Sequence, residues 1–451
     1  MSFARSLVRG CAWALLVSMS VAAAPQVVFA VACGDSVSGN TNLATSLTNC
    51  PGTGLTVTAN NVTITCNPGV EIDGNASGSS NSDTGIIASG RSNVVVDGCI
   101  IKDFYRGIQY TSGTGGAITD SSFSNNALYA IDLVQTTGVA IDGNTVTTSG
   151  DEGIHVTGKS GGSCPSPHPG NNVIVRNTVT STAGEGIYIL CSDSNRIEDN
   201  ILEDNAAVGV NIDESSSFNL VSGNTLTNDG VQVKASSNNT VIANTLIDEV
   251  FATSPPARLF FDNADSNYAE NNSVDADNAA DQCYNFQDGA NCNQLVRSSC
   301  VDPDVANITS SGATQSINNR FFEFTRDTPT LCSLTTNSTV DVYNATDTFI
   351  GCGGSPAVVP GNCTWWAFDP VCDDGTTNSL GDTQANAASW DLNSTTINDT
   401  QYYRANSTTV RLSVSGPLVV SSTGCLSVSA ATAVELHPGT NIAGRFHAVV
   451  M

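Results

Sequence analysis

The stretch Asn171–Leu190 reads NNVIVRNTVTSTAGEGIYIL. Its spacing predicts three short β-strands, one over 173–176, one over 178–180 after a bend at Asn177, and one over 186–190 after a turn. Apolar residues alternate within each, so each strand has one face to bury. The unit recurs along the chain. Aligned on one asparagine, it returns as IDGNTV (Asn144), IVRNTV (Asn177), IEDNIL (Asn200), VSGNTL (Asn224), VIANTL (Asn244) and AENNSV (Asn272), with Cys99 and Ser121 holding the same place earlier. The spacings from Cys99 onward are 22, 23, 33, 23, 24, 20 and 28 residues, a coil of nearly constant length with loop insertions. One such unit cannot bury its apolar face alone, whereas stacked coils share a continuous interior. Parallel strands about 4.8 Å apart then set equivalent residues in columns. The recurrent asparagine is expected to form a ladder whose amides satisfy backbone groups inside the bend.

These repeats, together with CGDSVSGNTNLATSLTNCPGTGLTVTANNVTITCNPGVEIDG (Cys33 to Gly74), resemble the right-handed parallel β-helix repeat family of NosD-like and pectin-lyase-like proteins. The resemblance covers roughly residues 33 to 290. It implies an all-β fold, a right-handed parallel β-helix solenoid, and says little of activity, because such coils host lyases, hydrolases, epimerases and adhesins. One departure stands near the start, where this chain reads ITCNPG in place of the usual LDLNGH-like stretch. Coil geometry suggests disulfides Cys33–Cys50, Cys164–Cys191 and Cys66–Cys99. The expected organisation is a signal peptide over 1–30, an N-terminal cap over 31–59, the β-helix over 60–295 and a smaller disulfide-rich β domain over 296–451.

The first thirty residues carry Arg5 and Arg9, an apolar run and a small-x-small ending at Ala30, the pattern of a secretory signal. Removing them takes the 15 cysteines to an even 14 and the net charge from −26 to −28. An even set suits a disulfide-bonded secreted, periplasmic or cell-surface protein. The rival reading of AVAC (Ala30–Cys33) as a lipoprotein site leaves an odd number. No transmembrane segment is expected past the leader. So acidic a chain repels nucleic acid, anionic surfaces and polyanionic glycans not bridged by calcium, and accommodates neutral glycans, cations or cationic partners more easily. A polysaccharide or surface glycan is the partner that the resemblance implies. Oligomeric state is left open.

The candidate site lies in two similar octets, SGDEGIHV (Ser149–Val156) and AGEGIYIL (Ala183–Leu190). Between inward Ile and Val, the column Gln109, Asp132, His155, Tyr188, Asn211, Gln232 faces outward, followed by Thr111, Val134, Thr157, Leu190, Asp213, Lys234. Glu152 and Glu185 precede the glycine. Two carboxylates one coil apart raise one another's proton affinity and can divide acid and base roles in glycosidic cleavage. His155 or Tyr188 offers proton transfer for a lyase or epimerase, with Asp132 as orienter. Gln109, Asn211, Gln232 and Lys234 are then candidate substrate contacts. In the polysaccharide-processing relatives the groove lies on this face. The plainer alternative is polar residues facing water on an exposed sheet, with Asp213–Lys234 a surface ion pair and Lys159 a solvated tip.

Whether the chain is an enzyme stays open: a polysaccharide lyase, glycoside hydrolase or epimerase is one reading. A non-catalytic surface or adhesion protein, with the coil as rigid spacer and the tail as binder, is the other. Trp365, Trp366 and Trp390 in that tail suit either sugar stacking or a small core. The histidines His155, His168, His437 and His447 lack paired-ligand spacing, so no metal centre is expected and NosD copper chemistry is not carried over. Calcium is the cofactor left open, at Asp275, Asp277 and Asp281 or at Asp262 and Asp265.

Overall fold

At each bend of the coil the chain turns sharply through a residue in the left-handed region followed by a side chain that repairs the broken hydrogen bonding. In the computed structural model the residue before each ladder asparagine has positive φ: Gly143 at 68°, Arg176 at 55°, Asp199 at 54°, Gly223 at 66°, Ala243 at 54° and Asn271 at 52°. For a residue with a Cβ this costs roughly 1–2 kcal/mol. The asparagines offset it. Each backbone amide donates to the Oδ1 of the next coil's asparagine, Asn144 to Asn177, Asn177 to Asn200 and Asn200 to Asn224, all at 2.9 Å, and the run continues through Asn244 to Asn272. Their Nδ2 groups donate to carbonyls such as Ile141 and Ile174, both at 2.9 Å. All six are buried. Left unpaired, such groups would cost about 1–3 kcal/mol each.

A second ladder runs five residues upstream through Asn172, Asn195, Asn219, Asn239, Asn267, Asn293 and Asn319. It too follows left-handed residues, among them Asn171, Ser194 and Asn238. The sequence pattern carries it as plainly as the first.

The structure describes residues 31–75, 83–159, 162–247, 257–275, 282–301 and 308–311, and beyond these the strands named here between 319 and 450. The expected signal peptide over 1–30, Trp365, Trp366, Asp277 and Asp281 lie outside the described residues. Among the described residues the protein is all-β, with strands of successive coils pairing in parallel into sheets of 13, 13 and 12 strands. It is a right-handed parallel β-helix. The first coil is already complete in Asp35–Val37, Thr41–Leu43 and Leu47–Cys50. The same three sheets run on to Thr325–Arg326, Cys332–Ser333 and Val340–Val342. Strands between Thr383 and Val450 pair, again in parallel, into three smaller sheets. The interior is a continuous stack of aliphatic side chains, Ile131, Ile154, Ile187 and Val210 in one row. Disulfides join Cys33–Cys50, Cys66–Cys99, Cys164–Cys191 and Cys283–Cys300. No helix among the described residues is long and apolar enough to cross a membrane.

Candidate functional site

The first sheet sets the expected column in register: Gln109 beside Asp132, Asp132 beside His155, then Tyr188, Asn211 and Gln232. The recurring glycine has a packing cause. A Cβ on Gly153 would lie 2.5 Å from Val179, and one on Gly186 2.6 Å from Leu202. The glycine is therefore needed where the strand passes close over a core residue.

The expectation of a water-facing row is corrected. Asp132 is 2% exposed, Asn211 4%, Asp213 4% and His155 8%, because side chains one coil apart cover each other. Desolvated polar groups must find partners, and most do. Asp132 is met by three groups: Arg106 Nε at 3.1 Å, Gln109 Nε2 at 3.0 Å and His155 Nδ1 at 2.9 Å. The Arg106 guanidinium also lies over the rings of Tyr105 and Tyr129, 4.9 and 5.7 Å from their centroids. The His155 ring sits between Tyr129 at 4.4 Å and Tyr188 at 5.8 Å. The Tyr188 hydroxyl donates to Asp213 Oδ2 at 3.2 Å, and Lys234 Nζ lies 3.2 Å from the same oxygen. That pair is buried at its acidic end rather than a surface pair. Asn211 Nδ2 donates to Glu185 Oε1 at 3.0 Å.

Glu152 is an exception, as is the Oδ1 of Asn211. Glu152 is buried, and its Oε2 has no hydrogen-bond partner. Burial pushes its carboxyl up to about 7, His155 pulls it back, and Asp151 and Glu185 add smaller upward pushes. The sequence expectation credited the neighbouring carboxylate, but desolvation is the larger cause. Gly153 N–H donates to the Glu185 carbonyl, so the two acids do sit on adjacent coils. Glu185 is only half-buried and is held by Asn211. Burial and then Asp213 hold the Tyr188 phenol well above its ordinary range, so it serves as a neutral donor and not as a base. Tyr129 is raised likewise, by burial and then by Glu152 and Asp132.

Lys159 is no free tip. Its Nζ lies 2.6 Å from Glu214 Oε2. With the Cys164–Cys191 bridge and the His168–Asp193 contact at 3.0 Å, it ties the described part of the turn 158–170 to neighbouring coils. Cys164, Cys191 and Glu214 form a cluster of metal-ligand atoms, but the two sulfurs are bonded to each other and offer no thiolate. Of the calcium candidates, Asp265 Oδ1 is occupied by the Asn291 amide at 2.7 Å. Asp262 is raised by burial and by Asp288, against Lys234. Asp275 lies on the third sheet, and the two aspartates grouped with it, Asp277 and Asp281, lie outside the described residues.

Arg106 and Tyr129 were missed by the sequence reading, and the signal was present. They hold the place two residues before the inward Ile108 and Ile131 that Glu152 and Glu185 hold before Ile154 and Ile187. Extending that column backward by two coils finds them.

A family model described as the right handed beta helix region matches residues 31–165 and 168–246. No curated protein sequence matches the chain. Among solved structures, the A-module of mannuronan C-5 epimerase AlgE4 from Azotobacter vinelandii is 11% identical with a TM-score of 0.45, over 69% of this chain and 90% of that one. The catalytic unit of the GH87 alpha-1,3-glucanase from Streptomyces thermodiastaticus is 13% identical with a TM-score of 0.45, over 69% and 63%. The Streptococcus pneumoniae surface protein and adhesin PfbA is 10% identical with a TM-score of 0.33, over 68% and 91%. At these identities and scores nothing about activity passes from them to this chain.

Proposed function

We propose that this is a secreted protein that binds an extracellular or cell-wall polysaccharide across the outward face of its first sheet, from Gln109 to Lys234, and exchanges protons with it there. The observation that carries the reading is the buried Glu152 carboxyl with an unpartnered oxygen beside a histidine that Asp132 and Arg106 hold in place. A carboxyl whose pKa is raised to about 7 keeps its proton near neutrality and can give it to a glycosidic oxygen, the role of a general acid. With Nδ1 engaged by Asp132, His155 has Nε2 left to take or return a proton. Gln109, Asn211, Gln232 and Lys234 flank this pair along the row as contacts for neighbouring sugar units. The disulfides suit an oxidising, extracellular setting.

The test is a glycan array on the full-length protein, followed by assays for new reducing ends and for unsaturated products, on wild type, Glu152→Gln and Asp132→Asn. Turnover lost in Glu152→Gln while binding persists supports the reading. A second reading, a rigid non-catalytic spacer in a surface or adhesion protein, is favoured by one observation: Asp132 and Asp213 are satisfied by partners within the row. Glycan binding untouched by either substitution, with no turnover, selects it.

A further inference from the structure

The class of sugar that fits this face can be narrowed from the partners its polar groups already have, and the step rests on the reading just given. On the coils from Gln109 to Asn211 the described cations of this face are engaged. Arg106 is held by Asp132 and Lys159 by Glu214, and from the next coil Lys234 is held by Asp213. What is left over is acidic or accepting. Glu152 Oε2 and Asn211 Oδ1 are buried without a hydrogen-bond partner, and the Glu185 carboxylate is only half-buried with one oxygen on Asn211. Both orphaned atoms belong to side chains more than nine-tenths buried. A buried polar atom without a partner is costly, so the ligand that completes the site brings donors to Asn211 Oδ1 and the Glu185 carboxylate, and an acceptor such as the glycosidic oxygen to protonated Glu152.

An anionic sugar does the opposite. A uronate carboxylate set on this row would meet Glu185 with no uncommitted protein cation to balance it, at a desolvated place where like charges repel strongly. Elimination or C5 epimerisation of a uronate asks for still more. The proton leaves C5 and its electron pair spreads into the adjacent carboxylate, where positive charge must be waiting.

We infer that the site takes sugar units that donate hydrogen bonds and carry no negative charge, their donors being hydroxyl or protonated amino groups meeting Asn211 and Glu185. The tyrosines Tyr129 and Tyr188 offer ring faces for the apolar side of such a sugar.

Calorimetric titration of the full-length protein with three hexasaccharides tests this: a chitosan oligomer for the amino source, a β-glucan oligomer for the hydroxyl source, and an oligogalacturonate. Each is run in EDTA and in calcium, because a divalent ion is the means by which a carboxylate could be admitted. Glu152→Gln and Asn211→Ser, checked for cooperative melting at or above the wild-type midpoint, accompany the wild type. The expected result is that the chitosan or glucan oligomer binds at least about tenfold more tightly than oligogalacturonate in both buffers. Asn211→Ser should weaken that binding by about fivefold, the worth of one ordinary hydrogen bond, while Glu152→Gln, which keeps a donor in place of the protonated carboxyl, leaves it within about twofold. A preference for chitosan over glucan identifies ammonium as the donor, and the reverse identifies hydroxyl. Oligogalacturonate as the tightest ligand, in either buffer, and weakened by Asn211→Ser overturns the inference while leaving the glycan site standing. No binding by any of the three, or binding indifferent to Asn211→Ser, removes the site reading and this inference with it.

Discussion

The first and third sheets wind around the same core in the same register, yet their outward rows differ in kind. On the third sheet one row reads Ser122, Thr145, Thr178, Ile201, Thr225, Thr245, Ser273 and Ser299. These residues are half-buried or exposed, Ile201 by 50%, and nearly all are small hydroxyl side chains. On the first sheet the equivalent row passes from Gln109 through Asp132, His155, Tyr188 and Asn211, no two alike and three of them buried. A parallel coil asks an outward position only for a β-compatible side chain, which Thr supplies by itself. Charged and aromatic groups packed against each other cost desolvation that folding does not require. The third sheet is what the fold alone calls for. The first sheet carries something added to it.

That contrast breaks down unless substitutions on the two faces behave differently. The largest effect belongs to Asp132→Asn, which strips the charge that Arg106 faces and disturbs the bonds to Gln109 and His155. A loss of about 3–5 kcal/mol in chemical denaturation is expected. Next comes pH. Glu152 has its folded pKa raised from 4.5 to about 7, so its contribution to stability is fully present below pH 4.5 and is lost as pH rises through about 7. The loss amounts to at most about 3 kcal/mol. Glu152→Gln should flatten that decline and leave the variant more stable than wild type at pH 8, with His155, Asp151 and Glu185 still in place around it. Denaturation curves at four pH values decide the matter.

On the other face the effects shrink. Lys102 and Glu71 form a partly exposed ion pair at 3.1 Å on the third sheet. Lys102→Met should cost no more than about 1 kcal/mol, and less in high salt. Thr178→Val, in the middle of the hydroxyl row, should move the midpoint by less than about 0.5 kcal/mol. A third-sheet change as costly as Asp132→Asn would erase the distinction between the faces.

Much of the architecture could be read from residue order because it rests on local, repeated physics. The asparagine after a left-handed residue marks a bend wherever it occurs, and the spacing of Asn144, Asn177 and Asn200 sets the coil length. Cys33–Cys50, Cys66–Cys99 and Cys164–Cys191 followed from coil geometry. The Asn172–Asn195–Asn219 ladder was equally visible and was passed over in favour of the first. What residue order did not carry was burial. That His155 lies between Tyr129 and Tyr188, or that Lys159 reaches Glu214, depends on side chains from separate coils meeting. Alternation alone marks such positions as outward, and it holds no information on what stacks above them. The same gap led to crediting Glu185 with a shift in Glu152 that desolvation dominates.

The most direct test is to titrate Glu152 itself. Carboxyl-13C-labelled glutamate, followed by NMR from pH 3 to pH 9 in wild type and in Glu152→Gln to assign its resonance, reports when this one group loses its proton. A midpoint near 7 is the predicted result. A midpoint in the ordinary glutamate range would mean a hydrated, ionised side chain, and the proton-donating site on the first sheet would be contradicted.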